Sequence, residues 1–154
     1  MQAYRVRQSG GSMFWIVMAA TLSLAGGAVL AQQLAAPAWV WGILLGSALL
    51  TAPLAWAFRC LELRVDTNGV KASWGGVFSK TIALDDIAGV EVGQYQWLGF
   101  GGWGWRYSFK GDVACSILGV TPTLVVRRRN GRKLVVTMPE PQQAADAVND
   151  WIAA

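Results

Sequence analysis

The chain has 154 residues, of which 54% are hydrophobic and 14% charged, with a formal net charge of +4. That is too apolar for an ordinary soluble domain of this length and lacks the broad basic surface that nucleic-acid binding needs. With no histidine and only two cysteines, Cys60 and Cys115, far apart, zinc sites, histidine-based proton transfer and Ser-His-Asp chemistry are excluded or disfavoured.

Residues 1–12 precede two uncharged apolar stretches, 13–31 and 39–58. As helices rising ~1.5 Å per residue, each covers roughly 28 to 30 Å, the thickness of a bilayer's hydrocarbon core. Arg5 and Arg7 precede the first stretch, Arg59 and Arg64 follow the second, and the connector from Gln32 to Ala38 has no charge. Short basic flanks stay on the cytoplasmic side, so a transmembrane helical hairpin with both ends in the cytoplasm is expected. Trp15, Trp39, Trp41, Trp56 and Phe58 sit near the ends of the stretches, where aromatic rings favour the headgroup layer, although packing between the helices would also use them. Val29-Leu30-Ala31 ahead of Gln32 also resembles a signal-peptide cleavage site. The apolar run exceeds a usual signal core of ~7 to 15 residues, however, and a second span follows at once, so retention is expected.

The remainder, 59–154, holds every acidic residue and all basic residues except Arg5 and Arg7, and is of single-domain size. Leu61, Leu63 and Val65 alternate with Glu62, Arg64 and Asp66, predicting a half-buried strand that leaves the second helix directly. Thr67-Asn68-Gly69 predicts a hairpin turn, followed by strands at 70–74, 80–84 and 87–94. An interrupted strand is expected at 106–109 and 113–118, and the clearest hairpin joins 123–128 to 132–138 through Asn130-Gly131. After Pro139 the period becomes helical, with Ala144, Ala147, Val148, Trp151 and Ile152 on one face. About seven strands and one terminal amphipathic helix result. Cys60 and Cys115 read as buried small hydrophobes, with palmitoylation conceivable at Cys60 by its position near the second helix.

This order resembles the pleckstrin-homology (PH) fold, in which two orthogonal sheets form a barrel closed at one end by the final helix. The segment Trp97-Leu98-Gly99-Phe100-Gly101-Gly102-Trp103-Gly104-Trp105-Arg106 is similar to the glycine and tryptophan motif of bacterial PH-like (bPH) membrane proteins with two N-terminal transmembrane helices. Gly99, Gly101, Gly102, Trp103, Gly104 and Arg106 carry the match, Gly111, Ala114, Asn130-Gly131 and Pro139 continue it, and Trp105 stands where an aliphatic residue is expected. The resemblance covers essentially the whole chain and implies a bacterial inner-membrane protein whose PH-like domain faces the cytoplasm. It does not bring phosphoinositide recognition, because the first hairpin offers only Lys71 and, further off, Arg64 as basic groups.

Two groups of residues are candidate contacts with membrane or partner. Trp97, Phe100, Trp103 and Trp105 lie among glycines that permit tight bends, and their rings either close the core or enter the lipid interface. The loop lacks the Lys-Ser or Lys-Thr that would make it a nucleotide loop. Arg127, Arg128, Arg129, Arg132 and Lys133 cluster at the last hairpin, either drawing anionic lipids or guarding a sheet edge as solvated charges. Asp85-Asp86, Glu91 and Asp112 suggest no catalytic pair. The sequence reading is therefore a non-enzymatic, cofactor-free scaffold on the lipid bilayer that recruits a protein partner. An anionic-lipid sensor is one alternative. The other is an accessory subunit of a transporter or envelope complex, contacting it through small-residue positions Gly26-Gly27 and Gly42 with Gly46.

Overall fold

The computed structural model describes residues 3–153; Met1, Gln2 and Ala154, at the outer limits of the expected 1–12 and 59–154 segments, lie outside them. Two helices, α1 (Gly11–Gln33) and α2 (Ala38–Ala57), form a hairpin, and both are long and apolar enough to cross a membrane. Only 11% of the most apolar window of each helix is buried, so these are not the core helices of a globular protein. The Thr21 hydroxyl bridges the two by donating to the Thr51 hydroxyl at 3.0 Å, and Thr51 in turn donates to the Ser47 carbonyl of its own helix. α1 runs unbroken through Ala31-Gln32.

The stretch expected to be a plain N-terminal flank contains a strand. β1 (Tyr4–Ser9) pairs antiparallel with β2 (Cys60–Asp66), from Tyr4 opposite Val65 to Ser9 opposite Cys60. Residues 4–9 therefore belong to the same sheet as the chain beyond α2. β3 (Gly69–Trp74) and β4 (Phe78–Ile82) complete this sheet in the order β1-β2-β3-β4. β4 ends before Leu84 because Leu84–Asp86 forms a single 3-10 turn.

The second sheet comprises β5 (Ile87–Gln94), β6 (Gly104–Tyr107), β7 (Val113–Ser116), β8 (Pro122–Arg128) and β9 (Lys133–Thr137), in the order β5-β8-β9-β7-β6. β7 and β9 are parallel and the other pairs antiparallel. The barrel anticipated from the sequence is not closed. Among the described residues no backbone ladder joins the two sheets; β4 and β6 meet through side chains, with Phe78 stacked on Trp105 at 6.0 Å. Eight strands follow α2, against about seven expected, because the 106–118 region folds as two separate strands.

Alternation determines what fills the space between the sheets. Leu61, Leu63 and Val65 of β2 and Val70, Ala72 and Trp74 of β3 are buried against Leu124, Val126, Leu134 and Val136 of the other sheet. Each such aliphatic side chain contributes about 1.5 to 3 kcal/mol by leaving water. Helix α4 (Pro141–Ala153) adds Ala144, Ala145 and Val148 to the core and packs on β5, β8 and β2. Cys115 is buried, and burial pushes its thiol up; Cys60 is buried too, which removes it as an accessible acylation site.

The junction between hairpin and sheet has no linker. Only Gly10 separates β1 from α1, and only Phe58-Arg59 separates α2 from β2. Gly10 N–H donates to Arg59 C=O at 2.8 Å, and Gly75 N–H to Cys60 C=O at 2.7 Å. Gly75, at φ +57°, lies so close to the last residue of α2 that an added Cβ would fall 2.2 Å from the Ala57 oxygen. Glycine is therefore required there by both conformation and space.

Candidate binding surfaces

The strands give the β-domain two ends, which are not alike. Gly104, at the start of β6, sits beside Phe58 and Met13; Ile117, just after β7, packs beside Gly11; and the Gln8 amide reaches the Thr137 carbonyl at 3.3 Å. This is the hairpin end. The far end carries Asp66-Thr67-Asn68, Asp85-Asp86, Lys110 to Asp112 and the β8–β9 turn. Seven residues of β8 separate the two ends, about 20 Å at ~3.3 Å per residue.

That geometry decides where the arginine hairpin sits. Arg127, Arg128, Arg129, Arg132 and Lys133 occupy the far end, one strand length from the helices. Arg127 pairs with Glu91 at 2.8 Å, and Arg128 with Asp86, its Nε donating to Oδ2 at 2.6 Å. Strand alternation sends these two neighbours to opposite faces, so each finds a different carboxylate. Arg129 N–H donates to the Asp86 carbonyl, and the Arg132 guanidinium lies over Gly111. Lys133 N–H donates to Asp112 Oδ1 at 2.9 Å. Part of the cluster is thereby neutralised in fixing the turn.

The tryptophan and glycine segment divides its rings among three environments. It opens with a short helical turn, α3 (Trp97–Phe100), ended by Gly101 in the left-handed region; Gly102 and Gly104 also have positive φ. These bends fold Phe100 and Trp103 back over the outer face of the second sheet, against Ala114, Val125 and Val135. Tyr95 organises this layer. Its ring lies 5.8 Å from Phe100 and 5.0 Å from Trp103, and its hydroxyl donates to the Gly102 carbonyl at 2.6 Å. Burial raises the Tyr95 phenol above its ordinary value. Trp105 turns the other way, packing partly buried against the main core and against Phe78. Trp97 projects into solvent with Leu98 and Gly99, so only part of the segment closes the core. Arg106 folds back to donate to the Trp103 carbonyl at 3.0 Å.

Between this layer and the Ser108–Asp112 turn lies a groove of about 490 Å³. Its floor is Val125, Val135 and Phe100, and Phe109 at the tip of the turn forms one wall. Glu91, Asp112, Lys110 and Lys133 also line it. Glu91 is engaged by Arg127 and Asp112 by the Lys133 amide, whereas Lys110 and Lys133 have no carboxylate partner among the described residues. With Glu91 offset by Arg127, Lys110 and Lys133 outnumber the one remaining carboxylate, Asp112, so the groove is mildly positive over an apolar floor. Tyr95 and Phe109 were not identifiable as site residues in the sequence: the first reads as the end of a strand, the second as a turn residue. The aromatic-glycine clustering that flanks Tyr95 is the signal that could have found it.

No cluster of three or more metal-ligating side chains occurs among the described residues. Comparison of the chain with protein families, with curated proteins and with solved structures finds no match.

Proposed function

We propose that this chain is a membrane-anchored binding module of the bacterial PH-like type, without catalysis of its own, that recruits a protein partner at the cytoplasmic face of the inner membrane. In this reading α1 and α2 span the bilayer and both chain ends lie inside. The observation that supports it most directly is the linker-free passage of β1 into α1 and of α2 into β2. A domain joined twice in this way is held at fixed height and orientation, so the groove on its second sheet faces along the membrane toward neighbouring proteins. The groove's size lies in the ~300 to 1,000 Å³ range of recognition sites, and its unpaired lysines over an apolar floor favour an acidic, partly apolar segment.

The test is co-purification of the intact protein from its native membrane in mild detergent, comparing wild type with Lys110→Glu/Lys133→Glu and with Phe109→Asp. All three positions are groove-lining. Partners recovered with wild type and lost with both variants support recruitment through the groove. Partners retained by both variants sink it.

One observation favours the accessory-subunit reading as a second possibility. A Cβ built on Gly42, Gly46 or Gly26 meets nothing within 4 Å, whereas one on Gly27 meets Leu44 at 3.6 Å. Packing inside the hairpin therefore uses Gly27 and leaves the Gly42 and Gly46 face open to another helix. If the helices span the bilayer, distance weighs against the arginine hairpin as the basic part of a lipid sensor. At ~20 Å from the hairpin end, the arginines lie beyond two Debye lengths of ~8 Å from the bilayer that anchors the chain.

A further inference from the structure

We infer that the hairpin end of the β-domain is seated in the lipid interface by an apolar collar formed from three separate loops. Its members are Val77 and Phe78 of the β3–β4 turn, Trp97 and Leu98 of α3, and Leu118 after β7. The inference rests on the proposal that α1 and α2 span the bilayer.

Each loop is fixed beside the foot of the helices by a contact already described. Gly75 abuts Ala57, placing Val77 two residues from the end of α2, with Val77 N–H bonded to the Trp74 carbonyl at 3.0 Å. Ile117 touches Gly11, placing Leu118 next to the start of α1. Gly102 N–H donates to the Trp97 carbonyl at 2.9 Å, and Gly104, two residues on, touches Phe58 and Met13. Consecutive Cα atoms are ~3.8 Å apart, so α3 starts within about 15 Å of the helix foot.

These side chains are turned outward. Val77 is 59% exposed, Trp97 51% and Leu98 76%, with Phe78 and Leu118 also accessible. Their solvation is unfavourable in water and natural at a headgroup boundary, where tryptophan and aliphatic side chains bury their apolar parts. Charge follows the same division. The segments 75–79, 96–105 and 118–121 contain no charged residue, while the opposite end carries Asp66, Asp85, Asp86, Lys110, Asp112 and the arginine hairpin. The fourth connection at the hairpin end, 138–141, has one carboxylate, Glu140, which accepts from the Gln143 amide. At the foot itself Arg59 rests over the Trp56 ring at 4.0 Å, a cation and aromatic pair suited to the same layer. The occupant of the collar is the bilayer that holds the helices.

The test uses the full chain in lipid nanodiscs, with an environment-sensitive fluorophore attached at Val77→Cys, Leu98→Cys, Asn130→Cys or Leu50→Cys; Cys60 and Cys115 are buried. Quenching by nitroxide lipids is compared with quenching by aqueous iodide. Labels at 77 and 98 are expected to respond to a headgroup-level nitroxide and to be several-fold less sensitive to iodide than the label at 130. If 77 and 98 behave like 130 while the label at 50 is quenched by a deep nitroxide, the collar is overturned and the spanning hairpin stands. If the label at 50 fails to respond to lipid, the spanning reading falls and the collar with it.

Discussion

Gly10→Ala probes the junction on which the fixed orientation depends. The backbone at Gly10 has φ −67° and ψ 1°, which alanine adopts readily, so conformational strain does not enter. The obstacle is space. The new Cβ would lie 1.6 Å from the Phe58 carbonyl oxygen, 2.8 Å from its carbon and 3.3 Å from the Arg59 carbon, all backbone atoms that no rotamer change can move aside. Restoring van der Waals separation requires the two chains to part by about 1.5 to 2 Å, since ordinary non-bonded contacts lie near 3.5 Å. The 2.8 Å bond from Gly10 N–H to Arg59 C=O cannot survive that displacement. A lost hydrogen bond costs about 0.5 to 1.5 kcal/mol and overpacking about 1 to 3 kcal/mol, so a destabilisation of about 2 to 4 kcal/mol is expected. At ~2 to 4 °C per kcal/mol for a chain of this size, Tm falls by about 4 to 16 °C. The assay is thermal unfolding in nanodiscs followed by near-UV circular dichroism, with amide hydrogen exchange of β1. Gly99→Ala is the control, because an added Cβ there meets nothing within 4 Å. A Gly10→Ala protein that melts with wild type, with β1 amides equally protected, would refute the tight junction.

Tyr95→Phe removes the bond to the Gly102 carbonyl and is expected to cost about 0.5 to 1.5 kcal/mol in urea unfolding. Burial raises the Tyr95 phenol in the folded state, so the native form holds its proton where the unfolded chain ionises; this stabilisation is complete below pH ~10 and is lost as pH rises through the raised value, a decline that Tyr95→Phe should lessen. Gly42→Leu/Gly46→Leu is expected to leave the hairpin and the melting of the β-domain unchanged, whereas Gly27→Leu, which would press on Leu44, lowers helix stability; circular dichroism of the three proteins in the same detergent makes the comparison. Cys60 and Cys115 are both buried, and burial pushes the Cys115 thiol up, so neither is expected to react with a maleimide until the domain is unfolded. Stoichiometric labelling of the native protein, read by mass spectrometry, would contradict this.

The parts legible in the sequence were those with local causes. Two long uncharged apolar runs can be little else than membrane-competent helices, and their observed limits differ from the expected ones by only one or two residues. Asn68-Gly69 and Asn130-Gly131 each mark an observed turn between antiparallel strands, and the helical period after Pro139 marks α4. What escaped depends on distant partners. Tyr4-Arg5-Val6-Arg7-Gln8-Ser9 alternates as a strand should, yet its arginines equally serve as a basic flank, and its partner β2 lies beyond both helices. The parallel pairing of β7 with β9 is likewise invisible, because turn chemistry favours sequential antiparallel neighbours and gives no sign that β8 and β9 enter the sheet as a unit. For the arginine hairpin, alternation along β8 accounts for the split between faces, but the end of the domain that bears it follows only from the ladder. The tryptophan segment could not be assigned as a whole, since alternative placements of each ring are decided by three successive positive-φ glycines.

The pairing of β1 with β2 also bears on how such a chain is assembled. β1 emerges from the ribosome before α1 and α2, and its hydrogen-bonding partner follows only after both helices have been made. For a chain that inserts α1 and α2 as proposed, the two strands meet only if the hairpin has returned to the side from which it started. A nascent chain with one helix left out of the bilayer would strand β1 and β2 on opposite faces, separated by ~30 Å of hydrocarbon. Completion of the first sheet is thus a readout of correct insertion, and a misinserted chain exposes an unpaired β-edge that quality-control proteases and chaperones can recognise.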